Sequence, residues 1–233
     1  SLIQSMAILD VHHIDLIDKI TKSVTCWYQS KISIRYSIVA RIIQAYGRLG
    51  INNHKLFNLF AQIVIKYINK INCSNITKIL HAYAKLNNKN SDLFVECSIR
   101  IINFTDIEPN DAAAILYSYV AANFYELSLF KKLIPLITDN DILTHVYNFV
   151  TYEVNTHNIV FSNEMLRNIN KTTILSSNPA RETNECVKYL GKLNIKALTN
   201  QVIHNINYDI VLPDHNIIIE INGPDQFNVN DNR

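Results

Sequence analysis

Apolar residues in the first two thirds of the chain return at steps of three and four. Ile38, Ile42, Ala45, Tyr46 and Leu49 form one stripe, and Leu56, Phe57, Phe60, Val64 and Tyr67 form the next. That period predicts helices with one buried face. A polar stretch, Gly50-Ile-Asn-Asn-His54, separates the two stripes, so together they predict a helical hairpin. The hairpin recurs. IIQAYGRL at 42–49, ILHAYAKL at 79–86 and ILYSYVAA at 115–122 align at spacings of 37 and 36. Leu56-Phe57, Leu93-Phe94 and Leu129-Phe130 repeat at the same two spacings. Segment 11–24 resembles 51–64, and 139–153 carries a related pattern. Residues 1–168 are therefore expected to form an α-solenoid of four to five hairpins of about 37 residues each. A single hairpin cannot bury its apolar face, so Tyr46, Tyr83 and Tyr119, equivalent by repeat, are expected in the core. Asp92 and Asp111 are expected as helix N-caps, with Pro109 at a helix start.

The pattern changes after about residue 175. Residues 169–184 read as a linker and 185–233 as a second, smaller domain. A helix is expected near 181–192, then strands at Ala197–Ile203, Tyr208–Leu212 and Ile217–Ile221. The tetrapeptide Pro213-Asp-His-Asn216 between the last two strands predicts a hairpin turn, with Pro213 ending the earlier one. The fold class is mainly α: a solenoid of helical hairpins followed by a partial α/β domain.

Composition is consistent with this. In 233 residues there are only 4 Gly and 5 Pro, and scarce breakers favour helices over a many-turned β protein. Hydrophobic residues make up 48% and charged ones 18%, which excludes a disordered charged tail. Ile and Asn are abundant, at 36 and 30 residues. Both have A/T-rich codons, so their abundance reads as compositional bias. Cys26, Cys73, Cys97 and Cys186 form no CxxC or Cys/His spacing, which argues against zinc and a disulfide framework and for buried thiols in a reducing compartment. No apolar run reaches the 18 or so residues of a membrane span. The chain opens in what reads as mid-helix and closes soon after a strand, so both ends are expected to be cut and a targeting peptide would lie outside the segment.

Charge is unevenly placed. The formal net charge is +2, but 31–100 carries +9 and 101–170 carries −5. Within the basic block, Arg41 and Arg48 are seven apart and share a helix face. One repeat later the same positions are Lys78 and Lys85, and one further they are Ala114 and Ala121. Stacked repeats would gather four cations, with Gln44 and His81 in the row between them and Arg35, Lys55 and Lys89 around them. Two readings compete: a solvated helix face, and a contact to phosphate backbone, which confers affinity and salt dependence but little sequence reading.

Hairpin repeats of this length resemble the octotricopeptide and heptatricopeptide arrays of organellar RNA-binding proteins. The C-terminal segment adds a more specific likeness. A helix near LGKL, a strand, and then Tyr208-Asp209, Leu212-Pro213 and Ile219-Glu-Ile-Asn-Gly-Pro224 with Phe227 resemble the RAP domain over about 185–233. That family's later part, a basic helix and last strand, lies beyond the segment. The RAP fold resembles the restriction-endonuclease core, in which an Asp and an Asp/Glu on neighbouring strands hold a divalent metal and a Lys two residues on assists the attacking water. The corresponding residues here are Asp209, Glu220 and Asn222. An amide cannot supply the charge or the proton transfer of that Lys, and Gln226 replaces the usual His. His215 and Lys196 stand as possible substitutes. Asp209, Glu220, Asn222 and Gly223 are accordingly candidates for an RNA-contacting or turn-orienting site, a structural remnant, or a nuclease.

The two resemblances imply a mitochondrial RNA-binding protein of apicomplexan type, without catalysis, catalytic residues, metal ligands or cofactor. Its narrowest version is a ribosomal component that grips fragmented ribosomal RNA beside neighbouring ribosomal proteins, with the acidic block 101–170 facing protein or solvent. The alternative is an RNA-processing nuclease that holds Mg²⁺ through Asp209 and Glu220. A protein-binding solenoid without nucleic acid is the third reading.

Overall fold

The structure is a computed structural model that describes residues 2–9, 11, 13–29, 36–156, 158–172, 181–203 and 206–221. It is mostly helical, with a small antiparallel sheet at its C-terminal end. The helices pair as α1 (Leu2–Ile8) with α2 (Ile14–Gln29), α3 (Tyr36–Arg48) with α4 (His54–Lys66), and α5 (Cys73–Lys85) with α6 (Ser91–Ile102). Then come α7 (Pro109–Ala121) with α8 (Leu127–Leu133), and α9 (Asn140–Asn148) with α10 (Asn163–Thr172). A π-helical turn, Phe149–Glu153, extends α9.

The odd-numbered helices pack in series, α1 on α3, α3 on α5, α5 on α7 and α7 on α9. In the second layer α2 packs on α4, α4 on α6 and α6 on α8. One continuous apolar cluster runs from Ile3 to Ile169 through all these units. That is the expected consequence of hairpins that cannot bury their faces alone. Helices α3, α5 and α7 each lie between two neighbours and a second layer, so their buried surface is wider than a single stripe. In α3, Val39, Ala40, Ile42, Ile43, Ala45, Tyr46 and Gly47 are all buried. Ile38, expected in the stripe, stands at its margin and is 40% exposed.

The repeated tyrosines explain how the units lock. Tyr83 Oη donates to the carbonyl of Phe57, and Tyr119 Oη to that of Phe94, each at 2.6 Å. Tyr46 Oη lies 3.3 Å from the Ile17 carbonyl and 2.9 Å from Thr21 Oγ1. Ile17 occupies the position of Phe57 when 11–24 is aligned with 51–64. Every tyrosine therefore reaches the same carbonyl of the preceding unit. The rings follow suit: Phe57 sits edge-on to Tyr83 at 4.9 Å and Phe94 to Tyr119 at 5.1 Å between centroids. Burial pushes the phenols of Tyr83 and Tyr119 up, keeping them neutral donors.

Asparagine has a structural use that its abundance alone does not suggest. Asn53, Asn72 and Asn90 are N-caps whose side chains accept from the backbone N–H three residues on. The expected caps Asp92 and Asp111 lie inside their helices instead. Asn90 and Glu108 have the extended backbone a cap requires, and the two aspartates sit in the first turn, where they face the positive helix end. Pro109 is the first residue of α7, as expected. At the other end, Gly50, Asn87 and Asn123 occupy one repeat position with φ of 65°, 50° and 58°. Asparagine tolerates this left-handed region better than most residues, and it replaces glycine there. In each case the next N–H bonds back to the repeated tyrosine's carbonyl: Ile51 to Tyr46, Asn88 to Tyr83 and Phe124 to Tyr119. Among the cysteines, Cys97 is buried and Cys73 and Cys186 half-buried, whereas Cys26 lies on the surface of α2.

Gly47 permits the closest approach of α3 and α5. A Cβ there would meet Ala82 Cβ at 2.7 Å and Ala82 Cα at 2.9 Å. Both atoms belong to a packed helix and cannot swing aside. Gly47→Val is expected to lower unfolding free energy by about 1–3 kcal/mol, the range of overpacked cores. A urea-denaturation midpoint equal to that of the parent chain would show that the layer can part at no cost.

The C-terminal unit consists of α11 (Arg181–Lys192), β1 (Leu198–Ile203), β2 (Ile206–Leu212) and β3 (Ile217–Ile219), with strand order β1-β2-β3. Both pairings are antiparallel, with Leu198 opposite Val211 and Ile210 opposite Ile219. Pro213–His215 form a 3-10 turn, and Asn216 closes the hairpin at φ 54°. Helix α11 packs on β2, and Ile210 and Leu212 are buried in this unit.

Candidate nucleic-acid interface

The outward face of the odd-numbered layer carries the cations in repeat register. Arg41 and Arg48 project from α3, Lys78 and Lys85 from α5; Lys78 is half-buried and the others are exposed. Among the described residues, none of the four has a hydrogen-bonding or ion-pairing partner. His81 shows that the two repeats converge. Partial burial lowers its pKa, and the charges of Lys85 on its own helix and Arg48 on the neighbouring one lower it further. The charge of a cation from each repeat thus bears on one imidazole.

A purely structural role for these cations is available at two positions. Arg48 and Lys85 end their helices, where a positive charge complements the macrodipole. Yet α7 has Ala121 at that place and ends in the same left-handed turn without a cation. Lys55 is harder still to explain by helix stability, since it lies in the first turn of α4, the positive end. Lys55 and Lys89 are both exposed and flank the turns that follow Arg48 and Lys85. Arg35 falls outside the described residues.

Other basic residues of the block serve the fold, a division invisible in the charge count. The Arg100 guanidinium donates to the Asn69 carbonyl at 3.2 Å and lies 4.5 Å from the Phe104 ring centre. Lys66 and Lys70 lie 5.4 and 5.9 Å from the Tyr67 ring centre. Outside the block, Lys132 Nζ donates to the carbonyls of Ile102 and Phe104. All of these belong to the second layer or its connections.

In the sheet, continuing the Ile210–Ile219 register by one step sets Asp209 opposite Glu220. Asp209 Oδ2 accepts the Ile221 N–H at 2.7 Å. Burial raises the Glu220 pKa, and the Asp209 charge and a hydrogen bond with Asp209 raise it further. Two facing carboxylates are suitable donors for Mg²⁺, which commonly takes one or two with substrate phosphates. Among the described residues, however, no cluster of three or more potential metal ligands occurs, and one Asp209 oxygen already anchors the strand. The register also disposes of the substitutes for the absent lysine. His215 lies in the β2–β3 turn, and Lys196 precedes β1 at that same end of the sheet. Four extended residues, about 13 Å, separate Asp209 from Pro213 where the turn begins. Asn222 and Gly223, with the rest of the 222–227 motif, lie outside the described residues.

The carboxylate pair has a testable consequence. A folded-state pKa raised above the unfolded value contributes stability below the unfolded pKa, and the contribution disappears as pH rises through the folded one. At pH 7 a charged Glu220 therefore costs stability, through its desolvation and then through the Asp209 charge. Glu220→Gln is expected to stabilise the protein at pH 7 by up to about 0.5 kcal/mol, as suits a largely solvated pair. The gain should shrink towards pH 4; thermal melts at both pH values decide it, and a gain independent of pH would refute a penalty on the ionised Glu220.

No helix among the described residues is long and apolar enough to cross a membrane. No protein-family profile matches the chain. Over 150 residues it is 24% identical to FAST kinase domain-containing protein 2, mitochondrial, of Homo sapiens. That similarity takes in 62% of this chain and 21% of the human protein, so the segment corresponds to about a fifth of that relative.

Proposed function

We propose that this chain is an organellar RNA-binding protein whose odd-numbered helices hold the phosphate backbone. The observation that carries the reading is the register of the cations. Arg41, Arg48, Lys78 and Lys85 recur at one face without partners among the described residues, while other cations of the same block are used by the fold. A helix face that needs only solubility has no reason to respect the repeat. Lys55, Lys89 and Arg35 extend the contact. The name of the human relative and the likeness to RAP proteins with helical arrays favour a mitochondrial setting. No cofactor or catalytic step enters this reading.

The narrower form is a component of a mitochondrial ribosome of apicomplexan type, binding fragments of ribosomal RNA beside other ribosomal proteins. Asp209, Glu220, Asn222 and Gly223 then act in strand anchoring or in a second RNA contact. Ultraviolet crosslinking in the organelle, with sequencing of the attached RNA and a sucrose gradient of the same lysate, tests it. Ribosomal RNA fragments and co-sedimentation with a subunit are expected. Messenger or precursor RNA on a protein in light fractions would refute the ribosomal form. Absence of crosslinked RNA would refute RNA binding.

A metal-dependent nuclease is the second reading, favoured by the apposed carboxylates alone. It requires RNA cleavage in Mg²⁺ that is abolished in Asp209→Ala. Unchanged cleavage in that variant, or none in the parent chain, removes it.

A further inference from the structure

The row between the cations continues beyond them and changes character. Gln44 on α3 and His81 on α5 are followed, one repeat on, by Tyr117 on α7. Tyr117 is 43% exposed, unlike its buried neighbour Tyr119 at 2%. The positions that hold cations on α3 and α5 are Ala114 and Ala121 on α7. Two short side chains therefore flank an outward-facing ring and leave it clear. On the next helix of the layer, α9, exposed His145 meets Tyr117 edge to face, with centroids 6.3 Å apart and planes at 80°. The pair continues the row where the positive patch ends.

We propose that Tyr117 and His145 form a stacking shelf for an unpaired base of the same RNA strand whose phosphates lie on Arg41, Arg48, Lys78 and Lys85. This rests on the reading of the odd-numbered layer as an RNA interface. Electrostatics favours a base here over the backbone. Residues 101–170 carry a local charge of −5, and Asp141 lies one turn before His145 on the same face of α9. Those charges repel phosphates but not a neutral base, whose exocyclic amino group finds acceptors in carboxylates. Aromatic faces take any base, since stacking needs only a π surface. Bases in a duplex are stacked on each other and unavailable, so the shelf selects single strands or loops. RNA thus turns from a backbone contact on α3 and α5 to a base contact on α7 and α9.

The test uses the full chain and fluorescence anisotropy with a short unstructured single-stranded RNA and a duplex of the same sequence, each titrated with salt. Tyr117→Ala is expected to weaken single-strand binding about fivefold or more, the lower end of one stacked base. Its salt slope should not change, because every phosphate keeps its cation, and duplex binding should be unaffected. Tyr117→Phe keeps the ring and should bind like the parent chain; His145→Ala should weaken binding in the same sense as Tyr117→Ala. The shelf is overturned if Tyr117→Ala binds single strands as tightly as the parent, or weakens both forms alike. It is also overturned if Tyr117→Phe binds as weakly as Tyr117→Ala, since the hydroxyl and not the stack would then matter. A parent chain that binds neither RNA form sinks the underlying interface, and the shelf with it.

Discussion

Arg48→Glu with Lys85→Glu is expected to weaken RNA binding by about a hundredfold at moderate salt. Two effects combine. Each cation removed frees one phosphate, and each new carboxylate repels the phosphate it meets. Taking roughly 0.7 kcal/mol for each of the four changes, as for partly solvated charges, the sum is about 2.8 kcal/mol, or two powers of ten. The sharper signature is the salt slope. For single strands it falls by about 0.7 for each phosphate no longer neutralised, so the double variant should show a slope shallower by about 1.4. The control is Lys66→Glu with Lys70→Glu. Each reversal changes the charge by two, so both double variants go from +2 to −2. Lys66 and Lys70 lie by the Tyr67 ring on the second layer, so their reversal should cost far less affinity. Equal weakening in the two variants would mean that net charge, not the registered patch, attracts RNA. An unchanged slope in the first variant would mean that the patch is idle.

Tyr83→Ala should be among the most damaging single substitutions for the solenoid. The side chain is fully buried, packs against Phe57 and donates to the Phe57 carbonyl. Removing a buried aromatic ring costs about 3–5 kcal/mol, and the hydroxyl adds about 1. A domain's whole stability is about 5–15 kcal/mol, so the loss is a large part of it. Its location makes the loss specific. Tyr83 joins the α3–α4 unit to the α5–α6 unit, and a repeat array depends on such nearest-neighbour contacts. Urea denaturation followed by circular dichroism should no longer show a single sharp transition, with the units on either side of the break melting apart. Tyr83→Phe should cost only about 1 kcal/mol, because the Phe57 carbonyl keeps its helical bond. If Tyr83→Ala unfolds cooperatively within about 1 kcal/mol of the parent, about a third of the smallest cost of an excised core ring, the tyrosine ladder does not hold the repeats together.

Lys85 and Tyr83 sit on opposite faces of one helix, which is where the architecture and the proposed function meet. Helix α5 buries Ile76, Ile79, Leu80 and Tyr83 in the core and turns Lys85 and His81 outward. The inward face sets the spacing of the units. The spacing in turn decides that the charges of Arg48 and Lys85 both act on His81. A lesion in the ladder should therefore also blur the patch, whereas charge reversal should leave the fold intact.

Local pattern was sufficient for much of this. The three- and four-residue rhythm and the two landmarks identified the hairpins, the core tyrosines and the pairing of Arg41 and Arg48 with Lys78 and Lys85. Short apolar runs around Pro213-Asp-His-Asn216 identified the hairpin of β2 and β3. Such features are legible because they depend on neighbours within a helical turn or a strand step. The caps were less so: Asn90 and Asp92 are chemically alike as caps, and only backbone dihedrals separate them. Asparagine abundance looked compositional because its use at left-handed helix ends depends on backbone conformation. The tertiary structure alone decided three things. Among the described residues, it gave Arg100 and Lys132 carbonyl partners from distant parts of the chain and left Arg41, Arg48, Lys78 and Lys85 without one, because such partners are long-range contacts. It put His215 and Lys196 at the wrong end of the sheet for Asp209, because strand register is a long-range pairing. And it set Tyr117 against His145, because only the stacking of α7 on α9 brings residues so far apart in the chain onto one surface.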